Sequence, residues 1–243
     1  MDGLDTRNAP VLVNEEVAPG VFRLTVSGRF SAEPAQFYML RAWQLDPLLA
    51  RPMSVFELTE ENISFLYGVC GRGTDRLSRL KPGDELSLFG PLGNGWERSS
   101  DRVALIGGGC GIAPLLHTAK RFGTVDIYLG FRDRPFQIER FASVAARLVV
   151  TSETGDGARR GVVTDGFEPG LYDTCYACGP HGMLATLAQT CRSVGVPLFV
   201  SLEERMACGI GACLGCTVKT TEGIRRVCRD GPVFRAEEVV WNG

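Results

Sequence analysis

Residues 206–216 read MACGIGACLGC, and a fourth cysteine follows after eleven further residues. The four thiols are thus spaced C-x4-C-x2-C-x11-C. Four thiolates at this spacing are typical of a site for a [2Fe-2S] cluster. The expected ligands are Cys208, Cys213, Cys216 and Cys228.

Small residues fill the gaps between these cysteines, namely Gly209, Gly211, Ala212 and Gly215. A short loop that wraps around an inorganic core needs positive φ angles and a close approach of the backbone, and glycine permits both. Such a loop also leaves backbone N–H groups free to point at the sulfurs, and these contacts tune the reduction potential of the cluster. A [2Fe-2S] centre passes one electron at a time, so the rest of the chain is expected to supply electrons.

Two other uses of the cysteines stay open. A zinc site also takes four thiolates, and the pair Cys175 and Cys178 could join Cys213 and Cys216, although Cys208 and Cys228 would then be unexplained. Disulfides are a further alternative, but nine cysteines is an odd count and residues 1–10, MDGLDTRNAP, do not read as a secretory signal.

Length and composition narrow the class of protein. The 243 residues suffice for about two domains. A net charge of −2 gives no electrostatic reason to expect nucleic acid binding. The apolar runs are far shorter than a membrane span. Many thiols without an export signal favour a reducing, cytoplasmic location.

Residues 1–100 are expected to form an antiparallel β barrel. Short runs such as GVFRLTVSG, QFYMLRAW and NISFLYGV are separated by Gly, Pro, Asn or Asp, and several alternate apolar and polar residues. Many short strands at close spacing are typical of a small barrel, which closes its own edges.

Two motifs in this region suggest a phosphate-containing cofactor. The first is Arg51-Pro52-Met53-Ser54 at the start of a strand, and the second is Gly71-Arg72-Gly73-Thr74 before a short helix. An arginine can bind a diphosphate with two hydrogen bonds, and a glycine-rich turn at a helix start offers N–H groups to phosphate. Each motif alone is commonly just a turn or a strand start, but the pair about twenty residues apart is more specific.

Residues 101–200 alternate between buried strands and helices, which predicts a parallel sheet with helices on both faces. The stretch Gly107-Gly108-Gly109-Cys110-Gly111-Ile112-Ala113-Pro114 follows a strand and opens a helix. This is the context of a dinucleotide diphosphate site, although Pro114 replaces the last glycine of the usual fingerprint. A plain strand-to-helix turn is the alternative.

Together these motifs resemble the ferredoxin-reductase superfamily. The resemblance implies a six-stranded barrel that holds FAD, with Arg51 at the diphosphate and Ser54 near flavin N5. The Gly90-Pro91-Leu92-Gly93 turn matches the end of that barrel. The remaining residues expected at FAD are Pro52, Met53, Leu66, Tyr67, Gly68, Gly73 and Thr74.

The same resemblance implies a nicotinamide-nucleotide site in residues 101–200. The superfamily's C-G-P-x-x-M element matches Cys178-Gly179-Pro180 and Met183, and places the cysteine against the nicotinamide, which explains Cys178 without zinc. Cys175 is then expected to be a buried small hydrophobe. The residues expected at NAD(H) are Gly107, Gly108, Gly109, Gly111, Cys178, Gly179 and Pro180.

Within that superfamily the chain most resembles the electron transfer subunits of NAD-dependent dihydroorotate dehydrogenases of class 1B. The stretch SLEERMACGIGACLGCTV, residues 201–218, carries this resemblance most closely. It implies an oxidoreductase subunit of pyrimidine biosynthesis in which FAD, reduced by NADH, passes electrons through the cluster to an FMN-containing catalytic subunit. It also implies a heterotetramer with two copies of each chain. No catalytic acid or base is expected in this chain, since the cofactors carry the chemistry.

The predicted order is an FAD barrel in 1–100, a nicotinamide-nucleotide domain in 101–200 and a cluster-binding segment in 201–243. Two rival functions stay open: a subunit of an NAD(P)H-ferredoxin reductase or sulfhydrogenase, and a zinc-stapled binding module. The choice of NADH over NADPH is also open.

Some side chains outside the motifs also give expectations. Ile210 and Leu214 are apolar residues inside the cluster loop, and we expect them at the surface in contact with the partner, unless they fold back onto the other domains. His117 is expected on a helix surface. Residues that would contact the adenosine part of the dinucleotide, or lie simply exposed, are Arg132, Arg134, Ser152 and Glu153.

Overall fold

A computed structural model describes residues 5–241 of the chain. The first part is a closed barrel of six antiparallel strands in the order β1-β2-β5-β4-β3-β6. The predicted barrel is thereby confirmed. Its strands are β1 (Asp5–Ala18), β2 (Val21–Ser27), β3 (Phe37–Arg41), β4 (Arg51–Leu58), β5 (Asn62–Gly68) and β6 (Glu85–Leu92).

The barrel closes because the long strand β1 pairs with two neighbours. Its first half pairs with β6 and its second half with β2, and irregularities in register fall between Val11 and Val13 and between Glu16 and Ala18. Such bulges bend a strand and increase its twist. Strand β6 alternates buried and accessible residues, which is the period of a strand with one face toward the interior. A short helix, α1 (Arg72–Ser78), lies between β5 and β6.

The second part is a seven-stranded sheet in the order β10-β9-β8-β7-β11-β12-β15, as expected for strands that alternate with helices. Neighbours pair in parallel except β12 and β15, which are antiparallel. The strands are β7 (Val103–Gly108), β8 (Asp126–Phe131), β9 (Arg147–Ser152), β10 (Arg159–Arg160), β11 (Thr174–Cys178), β12 (Leu198–Ser201) and β15 (Val233–Arg235), and the helices are α2 (Ala113–Phe122), α3 (Ile138–Ala142) and α4 (His181–Ser193).

One expectation about helix α2 is wrong. His117 was expected at the surface, but its side chain is buried and its Nε2 lies 3.0 Å from the carbonyl oxygen of Ala32 in the barrel. Helix α2 packs against β4, so the face that carries His117 is covered by the barrel. Burial lowers the pKa of His117, which keeps the ring neutral.

The third part carries the cysteine loop between β12 and a two-stranded hairpin. The hairpin strands are β13 (Thr217–Thr220) and β14 (Gly223–Arg226), and the short helix α5 (Val227–Asp230) follows them. The chain then returns to the second part, because β15 adds to the edge of its sheet. Residues after 201 therefore complete the nucleotide-domain sheet as well as forming the loop.

One of the buried hydrophobic clusters joins all three parts. A single cluster of buried residues includes Met39 and Leu92 of the barrel, Ile106 of the sheet, and Cys216 and Cys228 of the cysteine segment. Asn94, just after the barrel, accepts the N–H of Val233 at 2.9 Å and donates to the carbonyl of the same residue at 2.9 Å. This packing fixes the cysteine loop against both other parts. Within residues 5–241, no helix is long and apolar enough to cross a membrane.

Candidate cofactor sites

The cysteine loop has the backbone that its glycines predicted. Gly209 and Gly211 have φ angles of +72° and +81°, and Leu214 also adopts a positive φ of 59°. A Cβ atom at Gly211 would lie 2.7 Å from Cδ of Arg229, and one at Gly209 would lie 3.0 Å from Met39 and Leu92. The loop can therefore fold tightly against the barrel and α5 only with glycine at these positions.

Backbone N–H groups of the loop point at cysteine sulfurs. The N–H of Gly211 lies 3.1 Å from Sγ of Cys228, that of Cys213 lies 3.4 Å from Sγ of Cys208, and that of Cys228 lies 3.4 Å from Sγ of Cys216. Such bonds stabilise a thiolate, which is the form that binds metal. At Cys208 burial opposes ionisation, but N–H groups of Cys213 and the neighbouring loop residues outweigh it and lower the pKa to about 6.

The four thiols of the loop interact with one another. Cys208 interacts with Cys213, and burial followed by the thiol of Cys216 raises the pKa of Cys228 to about 12, with a smaller contribution from Cys208. Among residues 5–241, no three His, Cys, Asp or Glu side chains are drawn together as a site for one metal ion. The number of thiols in the loop is the number of ligands that a [2Fe-2S] cluster uses.

The loop lies at the surface of the protein. Cys213 is exposed and Cys208 is half-buried, whereas Cys216 and Cys228 are buried beneath them. Ile210 and Leu214 are 45% and 61% exposed, so they do not fold back onto the barrel or the nucleotide domain.

The other uses of the cysteines find little support in this geometry. All nine cysteines are free thiols, which leaves no disulfide among them. Cys175 is fully buried in β11, as expected, and its thiol contacts that of Cys191. Cys178 is also buried and bonds to Glu203. The thiols of Cys175 and Cys178 therefore have other partners inside the sheet. They do not form a zinc site with Cys213 and Cys216 in this structure.

The two motifs expected at the FAD diphosphate meet in space. Arg51 begins β4 and Gly73 lies in α1, and a Cβ atom at Gly73 would overlap the guanidinium group of Arg51. The same guanidinium stacks over the ring of Trp43, 5.5 Å from its centroid. The barrel thus holds a cation beside a glycine backbone, which is the combination that binds a diphosphate.

The side chain of Thr74, a residue expected at FAD, forms hydrogen bonds within its own turn. Its hydroxyl accepts the N–H groups of Cys70 at 2.9 Å and Gly71 at 3.1 Å, and donates to the carbonyl of Gly71. The side chain therefore holds the turn before α1 in shape. Any bond from this residue to a phosphate would come from its backbone N–H.

Strands β4 and β5 place the other expected flavin residues. In β4 the half-buried residues Pro52, Met53 and Ser54 pair with Met39, Tyr38 and Phe37 of β3, respectively. In β5, Leu66 and Tyr67 are buried and Gly68 is half-buried at the end of the strand. The ring of Tyr67 stacks on Phe22 and its hydroxyl donates to Asn14, so its side chain is held within the barrel.

The glycine loop and the Cys-Gly-Pro turn pack backbone against backbone. A Cβ atom at Gly111 would lie 2.5 Å from Cα of Gly179, and one at Gly108 would lie 2.9 Å from Pro180. Both segments follow parallel strands, β7 and β11, which are adjacent in the sheet. The carboxyl ends of such strands are where open α/β sheets bind ligands. Gly107 is also enclosed, by Leu115 and Ile112, while Gly109 has a φ of +55° and open space around it.

A cavity of about 400 Å³ opens beside these two segments. Two residues that sequence reasoning missed contribute to it. The sulfur of Cys110 lies near Gly68 of the barrel. Its thiol has a pKa raised to about 11, mainly by burial and secondly by the Glu203 carboxylate. The thiol of Cys178 donates to Oε1 of Glu203 at 3.9 Å. In the sequence, only the position of Glu203 could have indicated a role at this cavity, because it lies just after a strand end and just before the cysteine motif. The cavity is lined by Gly108, Gly109, Cys110, Gly111, Gly179, Pro180, His181, Leu184, Leu202, Glu203, Glu204, Val218, Val239 and Val240.

The residues considered for the adenosine part divide into two groups. Ser152 is buried, and its hydroxyl donates to the carbonyl of Asp133 at 2.9 Å, so it holds a turn together. Arg132, Arg134 and Glu153 are exposed around that turn. The geometry thus favours a structural role for Ser152 and leaves the three charged residues accessible.

Comparison with known protein families and relatives bears on these sites. Residues 203–240 match the family model of the iron-sulfur cluster binding domain of dihydroorotate dehydrogenase B, a range that includes all four loop cysteines. The chain is 43% identical over 236 residues to the dihydroorotate dehydrogenase B (NAD(+)) electron transfer subunit of Clostridium acetobutylicum, covering 96% of both chains. It is 44% identical to the subunit of the same name from Caldanaerobacter subterraneus, covering 96% of this chain and 98% of the relative.

Solved structures show the same architecture. The chain aligns with the structure of the NADH-dependent reduced ferredoxin-NADP oxidoreductase, studied for flavin-based electron bifurcation, with a TM-score of 0.87 and 32% identity. That alignment covers 99% of this chain and 92% of the other. A ferredoxin reductase of carbazole 1,9a-dioxygenase aligns over 80% of this chain and 67% of its own, with a TM-score of 0.69 and 19% identity, and so shares the fold. The predicted resemblance is confirmed by these similarities.

Proposed function

This chain belongs to the family of electron transfer subunits of NAD-dependent dihydroorotate dehydrogenase B, and we propose that it carries electrons from NADH to an FMN-containing catalytic subunit that acts on dihydroorotate. It is an oxidoreductase subunit with an iron-sulfur cluster, a flavin and a nicotinamide nucleotide as its cofactors. The observation that carries the proposal is that one buried hydrophobic cluster joins the barrel, the nucleotide sheet and the surface loop with its four thiols.

Each part of the chain has a task in this function. When bound, FAD accepts a hydride from NADH and releases electrons one at a time, and the cluster carries them onward. Arg51 and the backbone at Gly73 would hold the FAD diphosphate. The backbone at Gly108 and Gly111, next to Cys178, would hold the nicotinamide nucleotide. These residues bind and orient, and the proposal requires no side-chain acid or base.

The cluster loop supports an acceptor outside this chain. Electron transfer needs close approach, and Cys213 is exposed in the loop. Exposed Ile210 and Leu214 lie beside it and would contact the catalytic subunit. We further propose an assembly with two copies of each chain. A reducing cytoplasm is the proposed location, because it would keep the cluster thiols and the other five cysteines reduced.

The test is isolation of the native chain with whatever accompanies it. We expect FAD, two irons and two sulfides for each copy of this chain, bleaching of the flavin by NADH, and an FMN-containing partner that oxidises dihydroorotate. A protein without flavin and iron would contradict the cofactor assignment. A protein with both cofactors but no dihydroorotate-oxidising partner would contradict the choice of acceptor.

A second candidate function follows from the similarity to the NADH-dependent reduced ferredoxin-NADP oxidoreductase, which covers nearly the whole chain at 32% identity. In that alternative the chain would serve an NAD(P)H-linked ferredoxin reductase or a sulfhydrogenase with the same domain order. The two functions differ only in the partner. Reduction of a ferredoxin by the isolated complex, without activity on dihydroorotate, would favour the alternative.

A further inference from the structure

An arginine of the hairpin lies against the cluster loop. Arg226 ends β14 and pairs with Thr217, the residue that follows Cys216. Its Nη1 donates to the carbonyl oxygen of Gly211 at 3.3 Å, and the N–H of Gly211 donates to Sγ of Cys228 at 3.1 Å. A single residue of the loop thus connects the guanidinium group to an expected ligand of the cluster.

A carboxylate holds this guanidinium group in place. Asp230 accepts hydrogen bonds from Nε of Arg226 at 3.1 Å, from Nη2 at 3.2 Å and from the backbone N–H of the same residue at 2.8 Å. Both side chains are half-buried, with 27% and 21% of their surfaces exposed. A pair with two parallel bonds fixes the orientation of the guanidinium plane. Nε and Nη2 therefore face Asp230, while Nη1 is directed at the loop.

The charge of Arg226 lies close to two thiols of the loop. The pKa of Arg226 is raised first by its hydrogen bond to Asp230 and, among smaller contributions, by the thiols of Cys228 and Cys216. These are the two buried thiols of the loop. Charges that are partly shielded from water are screened less by salt than charges at the open surface. The two buried sulfurs therefore lie in the field of a cation that never loses its proton.

Reduction changes the charge of an iron-sulfur cluster. A [2Fe-2S] cluster with four thiolate ligands is negatively charged, and the added electron makes it more negative. Its reduction potential depends on net charge, on hydrogen bonds to the sulfurs and on solvent exposure. A fixed cation nearby stabilises the more negative, reduced form. The carboxylate of Asp230 offsets part of this effect, so the two partners of the ion pair should act in opposite directions.

We propose that Arg226 is a positioning residue for the cluster, which orients the loop through Gly211 and favours the reduced state of the cluster through its charge. Transfer of an electron from the flavin to the cluster becomes more favourable as a result. This inference rests on the cluster of the proposed function and is independent of which partner accepts the electrons. It assigns part of the reduction potential to one side chain outside the four cysteines.

Arg225 provides a matched control. It precedes Arg226 on β14, carries the same charge and is exposed. Its guanidinium group pairs instead with Glu222 of the same hairpin, at 2.7 Å. A general change in the charge of the hairpin would affect both positions, whereas a contact with the cluster loop would distinguish them.

The experiment compares Arg226→Gln, Arg226→Lys, Asp230→Asn and Arg225→Gln in the full chain loaded with FAD and the cluster. The reduction potential is measured by redox titration, followed by electron paramagnetic resonance of the reduced cluster. We expect Arg226→Gln to shift the equilibrium about tenfold toward the oxidised cluster, which lowers the potential by about 59 mV for one electron. Asp230→Asn should raise the potential. Arg226→Lys, which keeps the charge, and Arg225→Gln should shift the equilibrium by less than about threefold.

Iron and sulfide contents establish which variants retain the cluster. A purely structural role would lower these contents without shifting the potential of the cluster that remains. An unchanged or higher potential in Arg226→Gln would overturn the inference, and so would an unchanged or lower one in Asp230→Asn. If Arg226→Gln retains too little cluster to titrate, Asp230→Asn decides alone, and loss of the cluster from both would overturn the role of charge. Each of these results leaves the proposed function intact, whereas absence of iron from the unsubstituted chain would overturn both.

Discussion

The guanidinium group of Arg51 lies so close to Gly73 that a Cβ atom at position 73 would overlap it. The two residues are 22 positions apart, on β4 and α1. Their contact brings a fixed positive charge to a stretch of backbone without a side chain. This pairing makes a specific prediction about FAD.

We expect Arg51→Ala to weaken FAD binding by about 1.5–3 kcal/mol, roughly ten- to hundredfold, because a charge-assisted bond to the diphosphate is lost. Gly73→Val should weaken it too, since the new side chain would displace Arg51. The measurement is flavin content after desalting, followed by titration with FAD. Arg79→Ala, at an exposed residue directly after α1, serves as the control and should retain its flavin. Full flavin retention by both Arg51 and Gly73 variants would contradict the site.

The cluster thiols give a second prediction. We expect Cys208→Ser, Cys213→Ser, Cys216→Ser and Cys228→Ser each to lose most of their iron and sulfide, because a [2Fe-2S] cluster uses four thiolates. Cys191→Ser, in helix α4 of the nucleotide domain, is the control and should keep its iron. FAD should persist in all five proteins, since its motifs lie in the barrel. Full iron in the four loop variants would show that the ligands are misassigned.

The contact between Gly111 and Gly179 predicts a selective loss of NADH reactivity. Even Gly111→Ala would place a Cβ atom 2.5 Å from Cα of Gly179 and 2.6 Å from the carbonyl oxygen of Cys178, and backbone cannot yield cheaply. We expect flavin reduction by NADH to slow at least about tenfold in stopped-flow experiments, with FAD still bound, because misplaced groups lose near-attack geometry. Gly182→Ala meets open space and should react normally. Equal rates of flavin reduction in both variants would show that NADH does not bind at this contact.

The exposed apolar residues of the cluster loop predict where the partner binds. We expect Leu214→Asp to disrupt assembly with the catalytic subunit, because it places a charge in an apolar contact. Reduction of an artificial dye by NADH in the isolated chain should be nearly unchanged. Val194→Asp, at an exposed apolar position that follows α4, is the matched control. Normal assembly and electron transfer in Leu214→Asp would rule out this contact.

Buried His117 predicts a pH dependence of stability. Its pKa is lowered in the folded protein, chiefly by burial, whereas the unfolded chain keeps a value of about 6.5. Below this value the unfolded chain binds more protons than the folded one, so the free energy of unfolding falls as pH falls from about 6.5 toward the folded pKa. Above about pH 7 the residue contributes no such dependence.

The measurement is urea unfolding of the chain and of His117→Gln, followed by tryptophan fluorescence between about pH 5 and 8. We expect the difference in free energy of unfolding between the two proteins to shift in favour of the glutamine variant at acid pH. Parallel curves across this range would contradict a buried neutral histidine.

The amino-acid sequence determined the features that depend on residues close together in the chain. The cysteine spacing and its glycines specify a tight loop locally, and Gly209 and Gly211 adopt positive φ angles as expected. The alternation of β6 and the strand-to-helix turn at residues 107–114 likewise follow from short-range periodicity and turn chemistry. These local rules were sufficient for the barrel, the parallel sheet and the order of the three parts.

The tertiary structure alone decided contacts between distant parts of the chain. Sequence distance gives no hint that Cys178 bonds to Glu203, that His117 is covered by the barrel, or that β15 pairs with β12. The hydroxyl of Thr74 was available in sequence for a phosphate, but the fold uses it to close a turn. The physical reason is that such contacts arise when the faces of helices and sheets that are distant in sequence pack together. Burial at these interfaces then determines which polar groups form hydrogen bonds and shifts the pKa values of the titratable groups.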